Sequence, residues 1–303
     1  MGAPSVMMDQ SSPIKLKRYP ARYNTVGHLA LSMFWVTVAA LPAAAQRRSI
    51  PLPNDIAPFE FPLASARTSA MVGRVFYAAR GESGFGAEME AEAGLGEIWP
   101  ILAVHRGRVP LTLHFGAEAY GRFSLGDAAS ALISNDWHVN AILTADFRRL
   151  RLAAEAYHES SHLGDEYAQR FPGISRVNWS REIIGLWATY RAGLLKIHAN
   201  ASYAGIDAIN VGRGALSAAV DYRGKPGGML GGSAGTVWAV NADAQEYNDW
   251  RVTWSGRAGA RFADPQGRRG FALLFTFLDG YSSQRQFFLE KSRYYGVEVR
   301  FDL

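Results

Sequence analysis

Apolar and polar side chains alternate with a period of two in segment after segment of this chain, the mark of strands with one apolar and one polar face. Between Val109 and Gly121 the apolar set is Val109, Leu111, Leu113, Phe115, Ala117 and Ala119, interleaved with Thr112, His114, Glu118 and Tyr120. Trp137, Val139, Ala141, Leu143, Ala145 and Phe147 alternate with Asp136, His138, Asn140, Thr144 and Asp146, broken only by Ile142. The rule holds to the C-terminus, where Tyr295, Val297, Val299 and Phe301 alternate with Glu298, Arg300 and Asp302 up to a final Leu303. Such a terminal strand resembles the assembly signal of outer-membrane barrels.

Two closed architectures use this pattern: a soluble barrel or sandwich with the apolar rows inside, or a membrane barrel with them outside. Segment length selects the second, since runs of roughly 10–14 residues match a tilted strand crossing a bilayer, against ~5–6 in ordinary strands. The polar rows carry ionised groups in mid-strand, as at Glu88, Glu90 and Glu92 or Arg257 and Arg261, which suits a wet lumen. Tyr120, Trp137, Trp179, Tyr190, Tyr203, Tyr222, Trp238, Trp250 and Tyr295 fall near segment ends, as interfacial aromatic belts do. Twelve segments, from 69–79 to 291–303, give the even number that returns both termini to one side. The stretch 86–105 is the weakest, because Gly94, Gly96 and Pro100 interrupt it and a split would spoil the parity. Connections on the terminal side are short except for KPGGMLGGSAG at 225–235.

Residues 15–22 are basic, Leu29 to Leu41 form an apolar core, and Ala43-Ala44-Ala45 precede Gln46, the layout of a cleaved secretory signal peptide over 1–45. Residues 46–68 carry four prolines and no period, and read as a periplasmic N-terminal segment or a plug. The fold expected is therefore all-β, a single antiparallel transmembrane β-barrel of about twelve strands over 69–303.

Composition narrows the function. The chain has 303 residues and no cysteine, which excludes disulfides and thiolate chemistry and, for an exported protein, points to a Gram-negative envelope. Lys and Arg number 32 against 27 Asp and Glu, but without residues 1–45 the balance is 28 against 26. No clustered basic footprint supports nucleic-acid binding. The expected partners are outer-membrane lipids and the barrel-assembly machinery, with a homodimer left open.

The densest run of reactive side chains is Tyr157-His158-Glu159-Ser160-Ser161-His162-Leu163-Gly164-Asp165-Glu166-Tyr167, followed by Asn178-Trp179-Ser180-Arg181-Glu182. Parity puts His158 and Ser160 on the lipid-facing row of their strand and Asn178, Ser180 and Glu182 on that of the next. Polar groups cost free energy against lipid, so this row wants a reason other than packing, unless it stands above the hydrocarbon, where the cost falls to ~0–1 kcal/mol. A serine nucleophile needs a base, and the base a third group to fix its tautomer; Ser160, His158 and Asn178 could fill these roles.

His158-x-Ser160 with Asn178 resembles the outer-membrane phospholipase A family, whose His-Ser-Asn site lies on the barrel exterior. It is also similar to the lipid A deacylases, which pair His-x-Ser with a carboxylate, here Glu166 or Glu182. HESSHLGDEY (158–167) with NWSRE (178–182) resembles domain-of-unknown-function family 1207, barrel-like envelope proteins. These resemblances imply a phospholipid or lipid A esterase; a non-catalytic envelope barrel, either a narrow pore or a binding protein, is the alternative. Ser161 follows the serine where the phospholipases have Asn, and Asn178 comes later than their third residue. His162, Asp165 and Glu166 complete the loop end of the cluster, and its oxygens could hold calcium, which the phospholipases use; a solvated loop is the other reading.

Overall fold

The computed structural model describes residues 49–53, 56–67, 71–86, 88–106, 109–126, 130–225, 227, 234–263 and 270–302. The signal peptide expected over 1–45, Leu303 and most of the 225–235 connection lie outside the described residues. A short β1 (Ser49–Pro51) precedes twelve long strands: β2 (Met71–Arg80), β3 (Glu88–Arg106), β4 (Val109–Ser124), β5 (Leu132–Phe147), β6 (Leu150–Leu163), β7 (Trp179–Ala192), β8 (Leu195–Asp207), β9 (Gly214–Arg223), β10 (Ala234–Gln245), β11 (Val252–Ala263), β12 (Gly270–Tyr281) and β13 (Lys291–Asp302). Each of β2 to β13 pairs antiparallel with its chain neighbours, and β13 pairs with β2, which closes a twelve-stranded barrel. The twelve expected segments are these strands.

The 86–105 stretch is one strand of 19 residues. Gly94 is the last residue of β3 paired to β2 opposite Val72, and β1 takes up the same edge only at Leu102. Pro100 sits between them, where no neighbour needs its missing N–H, and a register shift on the β4 side absorbs it.

Alternation sorts the faces as expected. Val75, Leu95, Phe115, Leu186, Phe275 and Val297 stand exposed on the outer wall, whereas Arg74, Glu90, Glu92, Glu118, Arg122, Glu155, Arg257 and Glu298 are buried in the lumen. Buried charges persist only when paired. Arg122 binds Glu82 and Glu90, Arg74 lies 3.6 Å from Glu92 and 3.4 Å from Glu298, and Arg257 Nε donates to Glu298 at 2.8 Å. Most of the expected belt aromatics are outside, but Tyr120 and Trp179 turn inward, where the Tyr120 hydroxyl donates to Glu118 at 2.9 Å and the Trp179 indole to Glu159 at 2.8 Å.

The proline-rich segment fills what space remains. Residues 59–67 run inside the barrel: Leu63 N–H donates to Asp221 at 3.0 Å, the Ala64 carbonyl accepts from Ser255 at 2.6 Å, and Arg257 donates to the carbonyls of Leu63 and Ser65. Arg67 bridges Glu92 and Asp136. Phe59 packs on Ile98, Ile142 and Ala153, while Leu63 and Ala64 pack on Val237, Ala239, Ala272 and Leu274. Ile142, which breaks the polar row of β5, is the floor on which a lumenal phenylalanine rests. Glu60 is gripped at the near end, where the two-residue turns at 148–149 and 193–194 lie, by Lys196 at 2.5 Å and Arg223 at 3.0 Å.

The far end is roofed by its longer connections. Helix α1 (Asp165–Arg170) lays Tyr167 on Ile133, Leu163 and Phe287, and Trp179 packs on Val211 and Phe288. Gly164, between β6 and α1, passes so close to β5 that a Cβ there would lie 1.8 Å from the Leu132 carbonyl oxygen, so only glycine fits.

Candidate site on the outer wall

β6 and β7 place the polar row. Outward positions of β6 run Leu152, Ala154, Ala156, His158, Ser160 and His162, so the apolar wall gives way to polar groups toward the far end. In the register, His158 stands opposite Glu182 and Ser160 opposite Ser180. Directly opposite residues on one face have Cβ atoms about 4.5–5.5 Å apart, and i, i+2 neighbours lie about 7 Å apart along the strand. His158, Ser160, Ser180 and Glu182 therefore form one four-membered patch. On the other flank β5 sets Trp137, exposed on the wall, opposite Ser160.

The patch has one defined bond. His158 Nδ1 lies 2.7 Å from Glu182 Oε1. An ionised carboxylate only accepts, so Nδ1 is the donor of this bond, and the neutral form of the ring that keeps it has Nε2 as its acceptor. The His158 side chain is 40% and that of Glu182 32% exposed, so the pair is open to whatever lies against the wall. Among the described residues no hydrogen bond joins His158 to Ser160 or Asn178. Asn178 is exposed just before β7, on the far side of Ser160 from the imidazole, level with the exposed His162. It is Glu182, one of the two carboxylates considered above, that meets the Nδ1 atom.

The remaining expected residues lie elsewhere. Ser161 faces inward, held by Gln286, whose amide donates to its carbonyl at 2.9 Å. Asp165 and Glu166 are exposed in the first turn of α1, and Asp165 takes Arg176 at 2.9 Å. Among the described residues no three His, Asp or Glu side chains gather where a metal could sit. Glu88, Glu90 and Glu92 do not form a free acidic ladder, since Glu90 and Glu92 are bound by arginines.

A second polar space exists inside the barrel. It is a cavity of about 110 Å³ lined by Tyr157, Glu159, Arg181, Asp243, Tyr247 and Arg285, among others. Glu159 receives both Arg285 at 2.9 Å and the Trp179 indole. The strand wall separates this cavity from Ser160; Arg181 pairs with Asp207, and Asp243 accepts from the Gln245 amide.

Comparison with known proteins gives a family and a fold. The sequence profile of DUF1207, described as a protein of unknown function, matches residues 63–303. No curated protein matches the sequence. The fold is similar to that of the Salmonella typhi outer membrane phospholipase, crystallised as a dimer with bound calcium, with a TM-score of 0.55 and 12% identity over 82% of this chain and 93% of that one. The Escherichia coli outer membrane phospholipase A gives 0.52 and 13%, covering 77% of this chain and 92% of that one. An active-site mutant of the latter, with asparagine replaced by alanine, gives 0.51 and 13% over 82% and 92%.

Proposed function

The chain belongs to the DUF1207 family; from its barrel fold and the polar row on its outer wall we propose that it is an outer-membrane lipid esterase of a Gram-negative envelope, with its active centre on that row. The observation that carries this reading is the 2.7 Å contact of His158 Nδ1 with Glu182, beside Ser160 on the same lipid-facing row. In this reading Glu182 accepts the hydrogen bond from Nδ1–H and fixes the tautomer, and Nε2 takes the Ser160 hydroxyl proton as Oγ attacks the ester carbonyl of a phospholipid or of lipid A. The alcohol leaves with that proton, and water, activated by the same nitrogen, releases the fatty acid and restores the hydroxyl. Asn178 and His162 stand on the side of Ser160 away from the base, where the carbonyl oxygen of a bound ester would turn. The fold likeness to outer membrane phospholipases supports the reading, and every member of the row comes from one chain, so a homodimer would not be needed to complete it.

In this reading the near end is periplasmic, a leader over 1–45 is removed on export, and the barrel-assembly machinery inserts the chain. A narrow pore is the weaker alternative, because residues 59–67 and the ion pairs occupy the described lumen. The test is deacylation of labelled phospholipid and lipid A by refolded mature protein. Wild type turns over, Ser160→Ala does not, and Glu182→Gln loses about 10²–10⁴-fold in kcat, the usual worth of positioned acid–base catalysis. Equal turnover by wild type and Ser160→Ala would end the proposal, and a larger loss in Asn178→Ala than in Glu182→Gln would return the orienting role to Asn178.

A further inference from the structure

On the opposite side of the barrel from Ser160, the far-end rim of β2, β12 and β13 gathers cations on the outer wall. The outward row of β13 is Lys291, Arg293, Tyr295 and Val297, with Lys291 and Arg293 exposed at its far end. The outward row of β2 is Gly73, Val75 and Tyr77, and simple alternation would turn Arg80 into the lumen. Instead the register shifts between Tyr294, paired with Ala78, and Arg293, paired with Arg80, so that Ala79 is skipped and Arg80 emerges exposed, directly opposite Arg293. A bulge re-aims a side chain. Here it sets two arginines opposite one another, an arrangement that is unfavourable unless an anion lies between them.

Among the described residues the neighbours pair one of these cations, Arg293, and leave Arg80 and Lys291 without an acidic partner. Asp279, opposite Arg293, accepts from its Nε and Nη2 at 3.0 Å each, which fixes the guanidinium plane in a bidentate fork. Lys291, opposite Tyr281, keeps its Nζ 6.0 Å from that ring. Arg80 has no acidic partner among the described residues. Among the described residues of this rim the other exposed acidic side chain is Glu290, in the connection before β13. Three cations thus stand against two carboxylates, of which Asp279 is already engaged by Arg293. Immediately toward the membrane lie Tyr77 and Tyr295, with ring centroids 5.9 Å apart, and below them the exposed Val75, Val297 and Phe275. Cation, aromatic and aliphatic layers follow one another down the wall in the order in which a lipid presents phosphate, sugar or glycerol, and acyl chain.

We propose that Arg80, Lys291 and Arg293 form a binding site for the phosphate of a phosphorylated glycolipid of the outer leaflet, distinct from the Ser160 patch and bound without being cleaved. The site needs the barrel to span the membrane with this rim outside, but not the esterase reading, so it is tested in a Ser160→Ala background where turnover cannot intervene.

Refolded Ser160→Ala protein in detergent micelles is titrated with bisphosphorylated lipid A, with its dephosphorylated form and with inorganic phosphate, and bound lipid is counted by native mass spectrometry. The phosphorylated lipid is expected to bind at least tenfold more tightly than the dephosphorylated one, and to weaken as salt rises. Arg80→Gln, Lys291→Gln and Arg293→Gln each weaken it about fivefold, the effect of one cation at a lipid surface, while Arg80→Lys retains most of it. Equal affinity for the dephosphorylated lipid, or unchanged affinity in the triple variant, would overturn the proposal. Inorganic phosphate competing at the same concentration as the lipid would overturn the assignment to a membrane lipid. The comparison of the two lipids uses no rim variant, so a substitution that impairs refolding leaves the test intact.

Discussion

If residues 59–67 are an internal brace, then Phe59 and Ile142 must depend on each other energetically. Phe59 is 3% exposed and rests on Ile98, Ile142 and Ala153, with its ring 5.1 Å from Phe61 and 6.0 Å from Trp187, both edge-on. Truncating such a phenylalanine costs about 3–5 kcal/mol through lost burial and the cavity left behind, and two edge-on ring contacts of about 0.5–1.5 kcal/mol each favour the upper part of that range. Ile142→Ala costs about 2–5 kcal/mol while Phe59 covers it. Once Phe59 is gone, Ile142 lines open lumen and has little left to lose, so the double variant should fall short of the sum by about 0.5–3 kcal/mol, the range for residues in contact. The assay is urea unfolding of the refolded mature chain in micelles, followed by tryptophan fluorescence and by electrophoretic mobility without heating. Additivity within about 0.5 kcal/mol would refute the packing described here.

Three further outcomes follow from the same lumen. Burial alone would raise the Glu60 carboxyl, but Arg223 and Lys196 pull it from 4.5 to about 2. Its folded value lies below its unfolded one, so the anchor is complete above about pH 4.5 and is lost as the pH falls toward 2. Hydrogen exchange of residues 56–62 should accelerate over that window, and unchanged protection would count against the anchor. Arg257→Met strips donors from the Leu63 and Ser65 carbonyls and a partner from buried Glu298, and should cost about 3–5 kcal/mol in urea titrations. In planar bilayers the intact mature chain should conduct no ions, and a variant lacking residues 46–67 should show discrete openings; steps from the intact chain would contradict a filled lumen.

Parity alone was enough to read the barrel, because one face must meet lipid and the other water, and a strand has no third option. It even recorded the brace: Ile142 is the single aliphatic residue in a polar row, and its contact with Phe59 explains it. What parity could not supply is register across long connections. β6 and β7 are joined by residues 164–178, too long to dictate which rungs meet, so Glu182 and Asn178 were equally near His158 until the pairing was known. Bulges defeat it as well, since Arg80 changes faces through one skipped residue. Nothing local reveals, either, that Arg176, eleven residues on, pairs with Asp165.

A thread enclosed by its own tube constrains the order in which the molecule is made. Leu63 meets Asp221 and Arg257, 158 and 194 residues further along the chain, and the seam between β2 and β13 joins the two extremes of the cylinder. The earliest part of the mature chain must already be inside when the last strand zips shut. Escape afterwards means either parting that seam or drawing two phenylalanines and an arginine out lengthwise past their partners. Lifetime of the finished protein would then be governed by the height of that barrier rather than by the depth of the well.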